Sequence, residues 1–388
     1  MFLFLTALIF NPVTEQMLVQ EELNRQIPTQ HVWNCQEIGT GNINFIYLAD
    51  DCDQKIIVKK ALNFARINPE AFPLSNERLL YEYRAYSFYG KIAPEYVPKI
   101  YFFNLDQGML AMEYLFPHVV LRKGLIEGKR YPFLAEHLGT FLARSLYFTS
   151  CYHLSQEEWK KNIDLFADNA EFRKIILDLN YTDPFYGSPA NHWTSPELDE
   201  IVAEIQRDSS IQAVVDLLKG KFLQDPEALS HGDLHTGSIL VTPTDTRIID
   251  TEFASYAPIS FDIGMLLGNF AMACFASNAH LTDRAWLAKT TGQIWDVFEK
   301  KFRELGENHA SFDQKLEEIW EDTLRLMGME MIRRTIGLAH NADFEMIADR
   351  SAKVSAEKKA LNFAKELLLK AQESFPNSKI LEHRLIQE

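Results

Sequence analysis

The sequence predicts an α+β fold of two lobes, a small antiparallel β lobe with one long helix and a larger, mainly helical lobe. Strand-like segments of β-branched and aromatic residues are concentrated before residue 116, and long amphipathic segments dominate after it. The 388 residues, 47% of them hydrophobic, are enough to bury a core in each lobe. We therefore assign residues 1–115 to the small lobe and residues 116–388 to the large lobe, and expect a cleft between them.

In the small lobe, the segments HVWNCQEIGTGNINFIYLAD and QKIIVKKAL read as strands joined by a Gly/Asn turn and an Asp-rich turn. The segment PLSNERLLYEYRAYSFYGKI then carries leucines and tyrosines at helical spacing, which predicts the long helix. Two further strand candidates follow, VPKIYFFNLDQGML and LAMEYL. These elements together predict a sheet of antiparallel strands that packs against one helix.

In the large lobe, the hairpin SILVTPTDTRIID is the only segment that predicts a β element, and the loop around Trp193, YTDPFYGSPANHWTSP, is expected at the surface. Amphipathic periodicity predicts helices over the rest of the lobe. The predicted helices cover residues 132–150, 155–179, 196–219, 262–278, 283–305, 311–340 and 349–374.

Charge and cysteine content limit the partners and the compartment. The net charge is −15 with no basic run, so nucleic acid is not expected as a partner, whereas one small anion in a local basic pocket is compatible. The four cysteines lie far apart without a CxxC pair, which predicts no zinc site or disulfide framework and fits the cytoplasm.

Membrane association is not expected either. The apolar start, MFLFLTALIF, is interpreted as a buried N-terminal segment, with a cleaved signal peptide as the alternative. No later stretch is expected to reach the length and apolarity of a membrane span.

Two backbone segments are candidates for nucleotide binding. Gly39 and Gly41, in IGTGNINFIY with Asn44, lie between two strands, where glycine lets backbone amides approach a phosphate. An ordinary hairpin turn is the alternative. In LAMEYL, the backbone N–H and C=O groups of Glu113 and Leu115 could bind an adenine edge, although any linker offers such groups.

Lys59 is the candidate phosphate-binding side chain. It projects from the mainly apolar strand KIIVKKAL, where an ammonium is costly to bury unless it is paired. We predict Glu82, on the following helix, as its partner, so that the ammonium is held over phosphate oxygens. Lys60 points to the opposite face and is expected to be solvated, although strand alternation alone does not choose between the two lysines.

Three acids lie in SHGDLHTGSILVTPTDTRIIDTEF. Asp233 lies on a loop, and the hairpin that follows returns the chain so that Asp250 and Glu252 lie near it. Clustered carboxylates repel one another unless a divalent cation holds them. We predict that Asp250 and Glu252 hold Mg²⁺ and that Asp233 orients or deprotonates an attacking hydroxyl. For each acid alone, capping a turn is the alternative.

The order of glycine loop, strand lysine, helix glutamate, linker, HGD loop and metal-binding aspartate resembles the protein-kinase-like fold, in its aminoglycoside and choline phosphotransferase branch. HGDLHTGSI with IDTEF is similar to the methylthioribose kinase family in particular. That family shares two departures from the broader pattern, Ser238 in place of an asparagine and Asp250-Thr251-Glu252 in place of a D-F-G-like triplet. The resemblance extends along most of the chain, through VTEQMLVQE, VKKALNFARI and EMIRRTIGLAHNADFE.

The resemblance implies transfer of phosphate from ATP, with Mg²⁺, to the anomeric hydroxyl of S-methyl-5-thioribose in methionine salvage, by a homodimeric enzyme. It also implies that Arg333 and Arg334 contact the sugar substrate and the site of phosphorylation. Adjacent arginines on an apolar helix are unusual in any case, since one must face inward, where an anion or carboxylate would stabilise it. The alternative is one structural salt bridge and one solvated arginine.

Supporting roles are expected for other residues of the large lobe. The resemblance implies that Asp262, in SFDIG, braces the catalytic loop by hydrogen bonds. His231 and His235 straddle a Gly-Asp loop rather than share a helix face, so they are not expected to bind metal. We expect His231 to fix the loop and His235 to lie near the path of the phosphate. Trp193 either closes over the sugar or anchors its loop by packing.

Two alternative functions stay open. Another small-molecule kinase of this fold could act on choline, homoserine or an aminoglycoside, but a cationic substrate would need an acidic, aromatic pocket, and the adjacent arginines argue against it. A nucleotide-binding scaffold without catalysis is the second alternative. It is disfavoured because each acid that the reaction needs is present.

Overall fold

A five-stranded antiparallel sheet forms the small lobe of the computed structural model, which describes residues 12–38, 43–64, 74–307 and 311–388. The strand order is β1-β2-β3-β5-β4. Gly39, Gly41 and the apolar segment at residues 1–11 lie outside the described residues. The elements of this lobe are α1 (Pro12–Gln26), β1 (Asn34–Glu37), β2 (Phe45–Asp50), β3 (Lys55–Lys60), α2 (Arg78–Ile92), β4 (Ile100–Asn104) and β5 (Met109–Glu113).

Each face of this sheet is covered by a helix. Along β2, buried and half-buried residues alternate, as expected for a strand whose two faces have different environments. Phe45 and Tyr47 on one face join a core with Val19 and Leu23 of α1. Leu110 on the other face belongs to the large core that α2 and the large lobe share. The predicted antiparallel sheet is confirmed.

The position of Lys60 differs from the prediction that its side chain is solvated. Its side chain is buried, donates a hydrogen bond from Nζ to the Gln107 carbonyl at 2.5 Å, and lies 3.5 Å from Oε2 of Glu15 on α1. The prediction of a solvated Lys60 is therefore wrong. Alternation placed Lys60 on the face opposite Lys59, but α1 covers that face as well.

Helices make up most of the large lobe, and five short strands lie among them. The described helices are α3 (Leu121–Ile126), α4 (Leu134–Phe148), α5 (Gln156–Ala167), α6 (Ala170–Ile176), α7 (Asp183–Tyr186), α8 (Asp199–Arg207), α9 (Ser209–Gln224), α10 (Ser260–Ala276), α11 (Arg284–Leu305), α12 (Ser311–Ile336), α13 (Ala342–Glu345), α14 (Arg350–Ser374) and α15 (Ser378–Gln387). The strands are β6 (Val119–Val120), β7 (Ala228–Ser230), β8 (Ile239–Val241), β9 (Thr246–Ile248) and β10 (Ser255–Ala257).

The hairpin of β8 and β9 is the one that the sequence predicts, with Ile239 opposite Ile248. The prediction that this hairpin is the only β element of the lobe is wrong, because β6 pairs with β8 and β7 pairs with β10. Strands of two or three residues are too short to produce a period-2 pattern. The α+β class and its division into a small β lobe and a large helical lobe are confirmed, while a boundary after residue 115 stays a prediction.

The core of the large lobe is built around α10, whose residues are all buried. By length and composition the segment Ser260–Ala279 could cross a bilayer, yet its most apolar 18-residue window is buried inside the protein. The expectation that no stretch reaches this length and apolarity is therefore wrong. A helix that is apolar around its whole circumference fits a buried core position as well as a membrane.

Candidate active site

Lys59 joins the two lobes. It projects from β3 and forms ion pairs with Glu82 Oε1 on α2, at 2.7 Å, and with Asp250 Oδ1 of the large lobe, at 2.5 Å. Burial alone would lower the pKa of Lys59, but Asp250 and Glu82 outweigh burial and raise it well above its usual value. The lysine thus stays charged, and the structure pairs it with the predicted glutamate.

Asp250 and Glu252 follow β9 and lie on the large-lobe side of the same contact. Asp250 has a positive φ of 72°, and its N–H donates to the Tyr86 hydroxyl at 2.9 Å. The buried Glu252 accepts a hydrogen bond from Asn44 Nδ2 of the small lobe at 2.7 Å. Burial and the nearby Asp250 raise the pKa of Glu252 to about 8.

The donor set at this point fits a hard divalent cation. One carboxylate oxygen from each of Glu82, Asp250 and Glu252 lies within 4.8 Å of the others. Magnesium binds carboxylate oxygens and completes its shell with water and substrate phosphates, so two or three carboxylates at this spacing suffice. The structure adds Glu82 to the predicted pair, although its Oε1 is already engaged by Lys59.

Asp262 holds the loop that carries Asp233 by hydrogen bonds. The Asp262 carboxylate accepts hydrogen bonds from Ser230 Oγ at 2.7 Å, from the N–H of His231 at 2.6 Å and from the N–H of Gly232 at 3.1 Å. Gly232 has a φ of 89°, and a Cβ there would lie 2.2 Å from the Phe253 carbonyl oxygen. Only glycine tolerates both conditions.

This loop lies against the segment that carries Asp250. His231 Nε2 is 2.9 Å from the Ile249 carbonyl oxygen, and Ile249 directly precedes Asp250. The Ile249 N–H also donates to the Ser238 carbonyl at 2.9 Å. The loop that carries Asp233 thus lies beside the segment that carries Asp250, and His231 forms one of the contacts between them.

Asp233 is bound by both predicted arginines. Its Oδ1 accepts hydrogen bonds from Nη2 of Arg333 at 3.0 Å and from Nη2 of Arg334 at 2.7 Å, and its Oδ2 lies 3.4 Å from His235 Nε2. Burial would raise the pKa of Asp233, but Arg334, His235 and Arg333 together hold it well below its usual value. Both arginines are buried, so the alternative with one solvated arginine is wrong.

Glu330, on α12, orients this arginine pair and was missed by sequence reasoning. Its fully buried carboxylate accepts a hydrogen bond from Arg333 Nε and another, at 3.0 Å, from Arg334 Nε. A glutamate three and four residues before two arginines on one helix is a signal that could have identified it. Two other polar residues near the site, Arg122 and Asn269, were missed because their contacts join distant parts of the chain.

The linker does not offer all the groups predicted for adenine. The N–H of Glu113 donates to the Lys99 carbonyl at 2.8 Å, and the Glu113 carboxylate accepts from the Lys99 N–H at 3.1 Å. The Glu113 N–H is therefore not available to adenine, because the pairing of β5 continues to this residue. The roles predicted for the Glu113 carbonyl and for Leu115 stay predictions.

Trp193 is anchored within its own loop. Its indole N–H donates to Asp199 Oδ1 at 2.7 Å, and its ring packs against the core of the large lobe. The neighbouring His192 ring stacks on His340, with ring centroids 3.8 Å apart. Of the two roles left open for Trp193, these contacts favour the packing anchor.

Comparison with known proteins agrees with this geometry. Residues 34–298 match the model of the phosphotransferase enzyme family. The chain is 36% identical over 361 residues to methylthioribose kinase 1 of Oryza sativa subsp. japonica, covering 86% of this chain and 84% of that protein. It is 39% identical over 368 residues to a methylthioribose kinase of Escherichia coli, covering 88% of each.

The crystal structure of choline kinase from Cryptosporidium parvum aligns with 95% of this chain and 99% of its own, with a TM-score of 0.49 and 13% sequence identity. The family model covers well over half of the chain, and the relatives share more than a third of their residues with it over most of both lengths. This chain therefore belongs to the phosphotransferase enzyme family and, within it, to the methylthioribose kinases.

Proposed function

We propose that this protein transfers the γ-phosphoryl group of ATP to the anomeric hydroxyl of S-methyl-5-thioribose, giving ADP and S-methyl-5-thioribose 1-phosphate in methionine salvage. The observation that carries the proposal is Asp233, hydrogen-bonded to two adjacent buried arginines in a chain that is 36–39% identical to methylthioribose kinases. A sugar with several hydroxyls suits a site in which one carboxylate and two guanidinium groups converge.

Asp233 acts on the attacking hydroxyl. Its depressed pKa keeps the carboxylate ionised, so it accepts a hydrogen bond from the anomeric O–H and holds that oxygen in line with the γ-phosphorus. As the new O–P bond forms and the bond to the ADP oxygen breaks, the hydroxyl proton passes to the carboxylate. Arg333 and Arg334 hold the sugar and offset negative charge on the group in transfer.

The nucleotide is held at the contact between the lobes. Lys59, directed by Glu82, binds phosphate oxygens, and we assign the other nucleotide contacts to Gly39, Gly41, Asn44, Leu115 and the Glu113 carbonyl. Asp250 and Glu252 hold Mg²⁺, which when bound neutralises charge on the phosphates. The hard oxygen donors of these two side chains support that role.

An ADP-release assay tests the proposal with methylthioribose, choline, homoserine and kanamycin as separate acceptors. We expect turnover with methylthioribose and a loss of about 10²–10⁴-fold in kcat for Asp233→Asn. Phosphorylation of choline or kanamycin but not of methylthioribose would move the protein to another branch of the fold. Binding of Mg-ATP without turnover on any acceptor would favour a scaffold that has lost catalysis.

We further propose that the protein is a homodimer in the cytoplasm and that it has no nucleic-acid or membrane partner. The family resemblance supports the dimer, and the four cysteines, all free in the described structure, fit a reducing compartment. Sedimentation equilibrium is expected to give twice the chain mass of 44.8 kDa. A single-chain mass at micromolar concentration would reject the dimer.

A further inference from the structure

Arg122, near the start of α3, is a third arginine beside the catalytic loop, and the proposed mechanism does not use it. Its Nε donates to the Thr236 hydroxyl at 3.0 Å, and its own backbone N–H donates to the Thr236 carbonyl at 3.0 Å. Thr236 is fully buried and lies three residues after Asp233. One arginine thus holds the second half of the catalytic loop, while Asp262 holds the first half.

The same guanidinium reaches the arginine pair through two intermediates. Its Nη2 donates to Asn269 Oδ1 at 2.9 Å, and Asn269 Nδ2 donates to Glu330 Oε1 at 2.7 Å. Glu330 in turn accepts from Nε of both Arg333 and Arg334. Arg122, together with the Met265 carbonyl that accepts from Asn269 Nδ2 at 3.0 Å, therefore orients the Asn269 amide, and that amide contacts the carboxylate that the two arginines share.

The buried charge of Arg122 is only partly compensated, which argues against a purely stabilising role for this residue. Its side chain is only 15% exposed, and Asp343, at 3.6 Å from Nε, is its nearest carboxylate. Burial lowers the pKa of Arg122, and Asp343 only partly offsets this. A buried charge of this kind is weak evidence for stability, because an apolar side chain of similar volume often serves as well.

We infer that Arg122 is a positioning residue for phosphoryl transfer. It holds the 235–238 segment of the catalytic loop and, through Asn269 and Glu330, sets the orientation of the Arg333–Arg334 pair toward Asp233. In this role it acts through these residues rather than by contact with a substrate. The inference rests on the proposed function, because it concerns the same reaction centre.

The first test compares Arg122→Gln with Arg384→Gln. Arg384 is a matched control because it is also partly buried and ion-paired, to Glu366, but lies on the C-terminal helix α15. We expect kcat with methylthioribose to fall about tenfold to hundredfold in Arg122→Gln, because displaced catalytic groups lose in-line geometry. The KM for Mg-ATP should stay within about twofold of wild type. A kcat within twofold of wild type in Arg122→Gln would overturn the inference.

A double-mutant cycle separates positioning from general destabilisation. The substitution Arg122→Gln should cost less kcat in a Glu330→Gln background than in wild type, because the connection to the arginine pair is already broken there and only the contact with Thr236 remains to be lost. Losses of kcat that multiply fully would overturn the inferred route through Asn269 and Glu330. Melting temperatures of all variants are measured, and kcat is expressed per folded molecule.

A substrate-independent measurement keeps the inference separate from the proposed activity. Amide hydrogen exchange of residues 233–238 in the ligand-free protein should be faster in Arg122→Gln than in wild type and in Arg384→Gln. If wild type does not phosphorylate methylthioribose, the proposed activity fails and this exchange alone decides on Arg122. Unchanged exchange in that loop would overturn the inference whatever the substrate.

Discussion

Individual residues of the active site compensate one another's buried charge. Lys59 lies between Glu82 and Asp250, and Asp233 is bound by Arg333 and Arg334. Removing one partner from such a pair leaves an unpaired buried charge, which costs more than the pair contributes. We therefore interpret these ion pairs as a means of holding charged groups at the reaction centre rather than as a source of stability.

Gly232 is the backbone position on which the catalytic loop depends. Replacing it by alanine puts a Cβ 2.2 Å from the Phe253 carbonyl oxygen at a φ of 89°. We expect Gly232→Ala to lower kcat by about 10²-fold or more, because the Asp233 carboxylate must shift with the loop. Steady-state kinetics with methylthioribose measures this effect.

Gly220, in α9, is the matched control for that substitution. A Cβ there meets no heavy atom of the described residues within 4 Å. Gly220→Ala should leave kcat unchanged and stabilise the protein by about 0.5–1 kcal/mol, since alanine favours a helix interior. Equal losses of activity in the two variants would contradict the assignment of Gly232.

At the scale of elements, a capping residue sets the break between α8 and α9. The sequence predicts one helix over residues 196–219, whereas the structure has α8 ending at Arg207 and α9 beginning at Ser209. The Asp208 carboxylate between them accepts hydrogen bonds from the N–H groups of Ser210 and Ile211. Apolar periodicity runs through this break, because the two helices bury residues at similar spacing.

The loss of stability on removing the Asp208 cap can be predicted. Asp208→Ala should destabilise the protein by about 0.5–2 kcal/mol, the usual range for an N-cap, with no change in kcat. Urea unfolding followed by circular dichroism measures the difference. As a control on the same helix, Asp225→Ala at the C-terminal end should be neutral or slightly stabilising, because an acid there opposes the helix dipole. A larger effect from Asp225 than from Asp208 would refute the capping argument.

At the scale of the whole molecule, the lobes are linked at the reaction centre itself. Lys59 binds Asp250, Asn44 binds Glu252, and the Asp250 N–H donates to Tyr86, so polar contacts at the reaction centre cross from the small lobe to the large lobe. Ligands that bind between the lobes should therefore stabilise both. Arg78 supports the contact from the small lobe, since its Nε donates to Asn44 Oδ1 at 2.8 Å.

Thermal unfolding tests this linkage. Mg-ATP at 100 times its Kd should stabilise the protein by about 2.7 kcal/mol, and ATP with excess EDTA should stabilise it much less. In the double variant Asp250→Asn/Glu252→Gln the magnesium-dependent part of the shift should disappear. A shift that is the same with Mg²⁺ and with EDTA would show that these two acids do not hold the metal.

Local patterns in the chain were sufficient for the class of fold, the small-lobe sheet, the pairing of Lys59 with Glu82 and the arrival of Asp233 beside Asp250. These follow from periodicity, from turn positions, from a short hairpin and from the order of charged residues along the chain. The tertiary structure alone decided that Lys60 is buried under α1, that the Glu113 N–H is paired, and that Arg122 reaches Glu330 through Asn269. These contacts depend on which helix or strand packs against which face, and no local pattern in the sequence encodes that choice.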